Sequence, residues 1–132
     1  MKIKSSQTLV KEAEKVIKTL TIKQVEEILK NEDGTLIDVR DVRELWKEGT
    51  VKHSKHIPRG MLEFWLDPQS SYFKENKFDF SKKLILFCAL GMRSALAAKT
   101  LMDMGFDNIA HVQGGFDALK QSSLEIVTKK KN

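Results

Sequence analysis

Leu84-Ile85-Leu86-Phe87-Cys88-Ala89-Leu90-Gly91-Met92-Arg93-Ser94 is the stretch whose reading decides the fold. Four apolar residues run without a break into the chain's only cysteine, as in a strand of a parallel sheet buried on both faces. A short loop containing a glycine follows, and Ser94-Ala95-Leu96-Ala97-Ala98-Lys99-Thr100-Leu101-Met102 then reads as a helix. Cys88 thus stands at the carboxyl end of a strand, where open α/β sheets place their ligands. Backbone N–H groups of Ala89, Leu90, Gly91 and Met92, with the amino end of the helix at Ser94, can converge on the sulfur, and Arg93 adds a full positive charge. Such surroundings favour a thiolate over a thiol and make it a nucleophile. A lone cysteine after an apolar strand can equally be an inert core residue. The spacing of Gly91 and Arg93 argues the other way, because a core cysteine needs neither.

Working outward, Thr35-Leu36-Ile37-Asp38-Val39-Arg40 is a second strand, ending in charged residues, and Asp41 caps a helix from Val42 to Lys47. Thr21 opens another helix, with Gln24 completing a capping box and Leu20 and Val25 spaced as a hydrophobic staple. Leu9, Ala13, Val16, Ile17 and Leu20 recur at helical spacing, so Thr8 to Lys18 is expected to be amphipathic helix. Gly105 reads as the stop of the helix after Cys88, and Phe106 to Val112 supplies a last short strand. His111 within it is expected to be structural. Strands alternating with helices argue for a mainly parallel sheet covered on both faces.

With 132 residues the chain forms one domain, long enough to bury roughly two-thirds of its unfolded surface. The content, 41% hydrophobic and 31% charged, is that of a soluble protein. No apolar run is long enough to span a membrane, and the basic Met1 to Gln7 segment lacks the apolar stretch of a signal peptide. A single cysteine excludes an internal disulfide and a cysteine-based metal cluster, and a reducing cytoplasm is the expected setting. His53, His56 and His111 have no partner cysteines, so no metal site is expected. The net charge of +5 comes from lysines scattered among acids, with few aromatics between them, which argues against a nucleic-acid partner. Lys129-Lys130-Lys131 reads as a solvated tail.

The central stretch resembles the active-site loop of the rhodanese (sulfurtransferase) family, in its bacterial single-domain form with a six-residue loop. There a strand ends in Cys, a C-x-x-G-x-R-S loop cradles it and a helix follows. Cys88, Gly91, Arg93 and Ser94 match every defined position. Leu36-Ile37-Asp38-Val39-Arg40 resembles the family's opening strand, and Gly114-Gly115 the pair that begins its final helix, with Leu119 where tryptophan is frequent. Arg59-Gly60-Met61-Leu62-Glu63-Phe64-Trp65, after Pro58, looks like a segment of one bacterial subgroup. One stretch departs: Gly49-Thr50-Val51-Lys52-His53-Ser54 stands where the family commonly has Gly-His-Ile-Pro-Gly-Ala.

The resemblance covers Leu20 to Gln121. It implies an α/β domain at 21–122 with a small, mainly parallel, five-stranded central sheet and helices on both faces. Residues 1–20 would form a helical extension packed on its outside, and 123–132 a basic tail. It implies a sulfurtransferase in which Cys88 takes sulfur from a small anionic donor such as thiosulfate. The sulfur is held as a persulfide by the Ala89–Ser94 loop and Arg93, then handed to cyanide or a thiol, on a small molecule or a carrier protein. No metal or organic cofactor is called for. Arg59 is a candidate second cation for the donor, while Asp38 and Arg40 are better explained as a strut. Two other readings remain open: a catalytically silent interaction module of the same fold, and a cysteine phosphatase or arsenate reductase, which also join a cysteine, an anion-binding loop and an arginine. The sequence leaves the oligomeric state undetermined.

Overall fold

The computed structural model describes residues Met1–Lys131. Helix α1 (Ser6–Glu14) leads to strand β1 (Lys18–Leu20), α2 (Ile22–Lys30), β2 (Gly34–Asp38) and α3 (Val42–Glu48). The short strands β3 (Thr50–Val51) and β4 (Lys55–His56) follow, then a 3-10 turn at Arg59–Met61 and α4 (Leu62–Leu66). After β5 (Lys83–Phe87) come α5 (Met92–Asp103), β6 (Ile109–Val112), α6 (Gly115–Leu119) and β7 (Ile126–Val127). The main sheet has the order β1-β6-β5-β2-β4, every pairing parallel, with β5 at its centre. Strands β3 and β7 form a small antiparallel pair beside it.

The α/β architecture with a five-stranded parallel sheet is the expected one, and the reason lies in side-chain alternation. Along β5, Leu84, Leu86 and Cys88 face a layer made by α1, α4 and α5, where Ala13, Leu62, Leu66, Ala95, Ala98 and Leu101 are buried. Ile85 and Phe87 face the opposite layer, with Val25 of α2 and Phe116 and Leu119 of α6. Both faces are covered, so the strand is apolar throughout. The Thr21–Gln24 capping box is present, and Asp41 caps α3 as expected.

Two segments differ from expectation. The first helix ends at Glu14, and Lys18–Leu20 is an edge strand rather than a continuation of it, pairing Thr19 with His111. Its three residues supply backbone N–H and C=O groups to the open edge of β6, which outweighs their helical spacing. Ala13 and Ile17 are buried in the core. In the carboxyl-terminal segment, Ile126 and Val127 pair with Val51 and Thr50, so that stretch is tied down before the lysines begin. The divergent Gly49–Ser54 segment is the other half of this pairing. Gly49 has φ +79°, and a Cβ there would come within 2.5 Å of Val127 O.

Candidate active site

Phe87 ends the central strand, and the chain leaves the sheet at Cys88, whose side chain is 1% exposed. Gly91 (φ +115°) turns the loop into α5, a conformation that glycine adopts without a steric penalty. A helix leaves its first N–H groups without intrahelical acceptors. Here the N–H groups of Gly91 and Ser94 donate to Cys88 Sγ at 3.2 and 3.3 Å. Those of Met92 and Arg93 have no protein acceptor among the described residues. The Ser94 hydroxyl stands 3.5 Å from the same sulfur.

Outward carbonyls complete the cradle. Phe116 N and Asp117 N donate to Cys88 O and Ala89 O at 2.7 and 3.1 Å, so the amino end of α6 holds those oxygens away from the sulfur. Gly115 permits this approach: a Cβ there would lie 2.5 Å from Cys88 O and 2.6 Å from Ala89 O. The loop therefore turns N–H groups inward and carbonyls outward, as an anion requires. Leu90 and Met92 project from it, 61% and 54% exposed.

Arg93 lies at the loop but is already paired. Its two terminal nitrogens donate to Glu44 Oε2 and Oε1 at 2.7 and 3.0 Å. Glu44 also accepts from Asp41 N at the start of α3. The fork raises the Arg93 pKa further and lowers that of Glu44, mainly through these hydrogen bonds.

The remaining sequence candidates lie apart from the sulfur. Asp38 and Arg40 are fully buried. Asp38 Oδ1 accepts from Arg40 N and Nε, and Oδ2 accepts from Arg40 Nη2 at 2.8 Å and Thr50 Oγ1 at 2.7 Å. Arg40 also donates to Gly49 O at 2.7 Å and stacks 4.0 Å from the Phe116 ring. Arg59 donates to Glu63 at 2.9 Å and Thr100 at 3.3 Å, tying α4 to α5, and has no hydrogen bond to the Cys88 loop among the described residues.

Two features of the site escaped the sequence reading. Glu44 announces itself only as the fourth residue of a capping box. His111 is polar in an otherwise apolar strand, which signals a hydrogen-bond partner without naming it. That partner is Ser94, whose Oγ is 2.9 Å from His111 Nδ1.

With this geometry in view, comparison with known proteins gives the family. The rhodanese-like domain profile matches residues 21–122. The chain belongs to the rhodanese-like domain family. A protein of unknown function from Rhodopseudomonas palustris, described as a possible tyrosine phosphatase, is 40% identical over 96% of this chain and 97% of its own, with a TM-score of 0.87. The polysulfide-sulfur transferase of Wolinella succinogenes, solved as a homodimer, is 35% identical over 93% of this chain and 87% of its own, with a TM-score of 0.73. Among curated rhodanese relatives, the thiosulfate sulfurtransferase GlpE of Glaesserella parasuis is 28% identical over 86% of this chain and 95% of its own. No helix among the described residues is long and apolar enough to cross a membrane.

Proposed function

We propose that this protein is a sulfurtransferase that moves a sulfane sulfur from a donor such as thiosulfate to a thiol or cyanide, through a persulfide on Cys88. The observation that carries the reading is the sulfur cradle. Two N–H groups already point at Sγ, and two more in the same helical turn, at Met92 and Arg93, have no acceptor among the described residues. In the first step the Cys88 thiolate attacks the outer sulfur of the donor. The donor's S–S bond breaks, and its electron pair leaves with the inner group, as sulfite in the case of thiosulfate. The new terminal sulfur carries the negative charge, which the free N–H groups stabilise in the manner of an oxyanion hole. An acceptor then takes that sulfur and restores the thiolate, a ping-pong cycle.

The rim bears on the donor. Glu44 offsets the charge of Arg93, and Leu90 and Met92 are exposed beside it. Backbone N–H groups, rather than side-chain cations, therefore dominate anion binding in this arrangement. Arg59 joins them only if it leaves Glu63 and Thr100. The acceptor is a small thiol or a carrier protein, and a reducing cytoplasm suits a chain that works through one free thiol.

The name of the Rhodopseudomonas palustris relative favours a second reading, phosphate-ester hydrolysis. Four residues separate Cys88 from Arg93, one fewer than in the cysteine phosphatases this loop resembles. A tetrahedral phosphoryl group needs a wider ring of donors than a single sulfur does. Asp38, which lies at the neighbouring strand end, is closed in its pair with Arg40 and is not free to act as a general acid. The test is turnover by wild type and Cys88→Ser with thiosulfate or inorganic polysulfide plus cyanide, beside an aryl phosphate. Sulfur transfer lost in Cys88→Ser, with no phosphate release, is expected. Aryl phosphate turnover lost in the same variant would replace the sulfurtransferase reading.

A further inference from the structure

A line of polar groups runs from the sulfur along one face of the sheet to its β1 edge. Ser94 Oγ lies 3.5 Å from Cys88 Sγ and 2.9 Å from His111 Nδ1. The other ring nitrogen, Nε2, lies 3.1 Å from Thr19 Oγ1. Ser94 and His111 are 0% and 2% exposed, whereas Thr19 is exposed. Thr19 and His111 are register partners, so β1 fixes the last link. Thr19, Glu14, Gly91 and His111 line a crevice of about 210 Å³ between α1 and the loop. Cys88 is not among the groups that line it.

We propose that His111 is a positioning residue for the sulfur chemistry, acting through Ser94, and that the line Cys88–Ser94–His111–Thr19 carries the thiol proton to this crevice. The proposal rests on Cys88 being the nucleophile. Ser94 has one hydroxyl proton and three acceptors within reach: the sulfur, His111 Nδ1 and, at 3.3 Å, Gly91 O. If Nδ1 carries the ring proton, it donates to Ser94 and leaves the Ser94 proton to the sulfur or Gly91 O, of which an anionic sulfur is the stronger acceptor. If Nε2 carries it, Nδ1 takes the Ser94 proton and the sulfur loses a donor. The ring tautomer thus decides whether Ser94 stabilises a sulfur anion.

Ionisation links the two states. The Cys88 S–H bond breaks and its proton goes to Ser94 Oγ, while the electron pair stays on sulfur. The proton of Ser94 passes to Nδ1, and the ring releases its Nε2 proton to Thr19 and solvent in the crevice. Nothing is oxidised or reduced, and the imidazole ends neutral in the tautomer that directs the Ser94 hydroxyl at the new anion. The proton leaves by the crevice, which Leu90, Gly91 and Met92 of the loop also line. A neutral ring suits this role, and burial lowers the His111 pKa from its ordinary value. The charged groups around the line are Glu14 of α1 toward His111, and Arg93 of α5, held by Glu44 of α3, toward Cys88. Asp38 of β2 acts on Arg93 but is closed in its pair with Arg40.

The test is the rate of Cys88 alkylation by iodoacetamide against pH, on the full chain, which needs no sulfur donor and so stands or falls apart from turnover. His111→Leu, which leaves the Ser94 hydroxyl free to turn to Gly91 O, and Ser94→Ala should each slow alkylation at neutral pH by about tenfold, the size expected of one hydrogen bond to a charged atom, and move the midpoint to higher pH. The double variant should be no slower than either single one, because the two act as one unit. His111→Asn, whose amide can donate where Nδ1 stands, should recover most of the rate, and His111→Gln, which reaches toward Thr19 instead, should not. A wild-type midpoint in His111→Leu, additive losses in the double variant, or equal midpoints in the Asn and Gln variants would each overturn the proposal. The Asn–Gln comparison decides it even if the leucine variant fails to fold.

Discussion

Two neighbouring strands reach the same edge of the sheet and end differently. Asp38 of β2 and Phe87 of β5 are partners in register, and Val39 N donates to Phe87 O at 3.0 Å just beyond them. Past β2, the Asp38 carboxylate and the Arg40 guanidinium meet each other, Thr50 and Gly49, and both side chains are fully buried. Past β5, the sulfur of Cys88 collects N–H groups, while two further N–H groups beside it have no acceptor among the described residues. Past β2 the charges are buried against each other, with Arg40 Nη1 left without a hydrogen-bond partner among the described residues, whereas past β5 the charges of Arg93 and Glu44 lie at a partly exposed rim. The difference is one of access: at the closed end Arg40 is fully buried, whereas at the open end Leu90 and Met92 of the Cys88 loop are exposed.

Breaking the closed end gives the largest change in stability. Arg40→Ala strands the Asp38 carboxylate in the core and should cost about 3–5 kcal/mol. A urea titration measures it. A loss below about 1 kcal/mol, the range of an exposed pair, would show that Asp38 is not sealed.

Acid sharpens the contrast at the open end. His111 is held neutral by burial, below its ordinary value of 6.5. Below about pH 6.5 the unfolded chain gains a proton there that the folded chain does not, so stability should fall as pH drops through that window. His111→Asn should flatten the slope. Glu44 acts lower: its pKa is reduced by Arg93 from 4.5, so its contribution is present above that pH and fades below it. Denaturant melts between pH 7 and 4, within the range set by those ordinary values, separate the two. An equal slope in His111→Asn and wild type between pH 6.5 and 5 would remove His111 as the cause.

These contrasts also show what was legible in the sequence. The unbroken run into Cys88, the C-x-x-G-x-R-S loop and the Thr21–Gln24 box depend on neighbours along the chain, and they placed the central strand, the cradle and α2. Lys18–Leu20 depends instead on the open edge of β6, some 90 residues away in register, and its helical spacing pointed elsewhere. The same holds for the partners of Arg93 and Ser94. Glu44 is separated from Arg93 by 49 positions and His111 from Ser94 by 17, and no local pattern carries such pairings. Asp38 and Arg40, two residues apart, were readable as a strut for the opposite reason.

The smallest expected effect tests how open the open end is. Arg93 and Glu44 are partly exposed, at 43% and 29%, so their pair contributes only about 0.2–1 kcal/mol to stability. Glu44→Gln should therefore leave folding nearly unchanged while freeing a cation at the mouth. The KM for thiosulfate should fall by about fivefold or less, the same energy read as binding, with a smaller change in kcat. A raised KM would mean that Glu44 holds Arg93 in its working position.

The central claim is that Cys88 carries the transferred sulfur, and the intact mass of the protein tests it most directly. After exposure to thiosulfate or polysulfide and removal of the excess, the wild type should gain the mass of one sulfur atom and lose it on addition of reductant. Cys88→Ser should gain none. Sulfur retained by Cys88→Ser, or a wild type that consumes donor in the presence of cyanide without ever holding sulfur, would contradict the account.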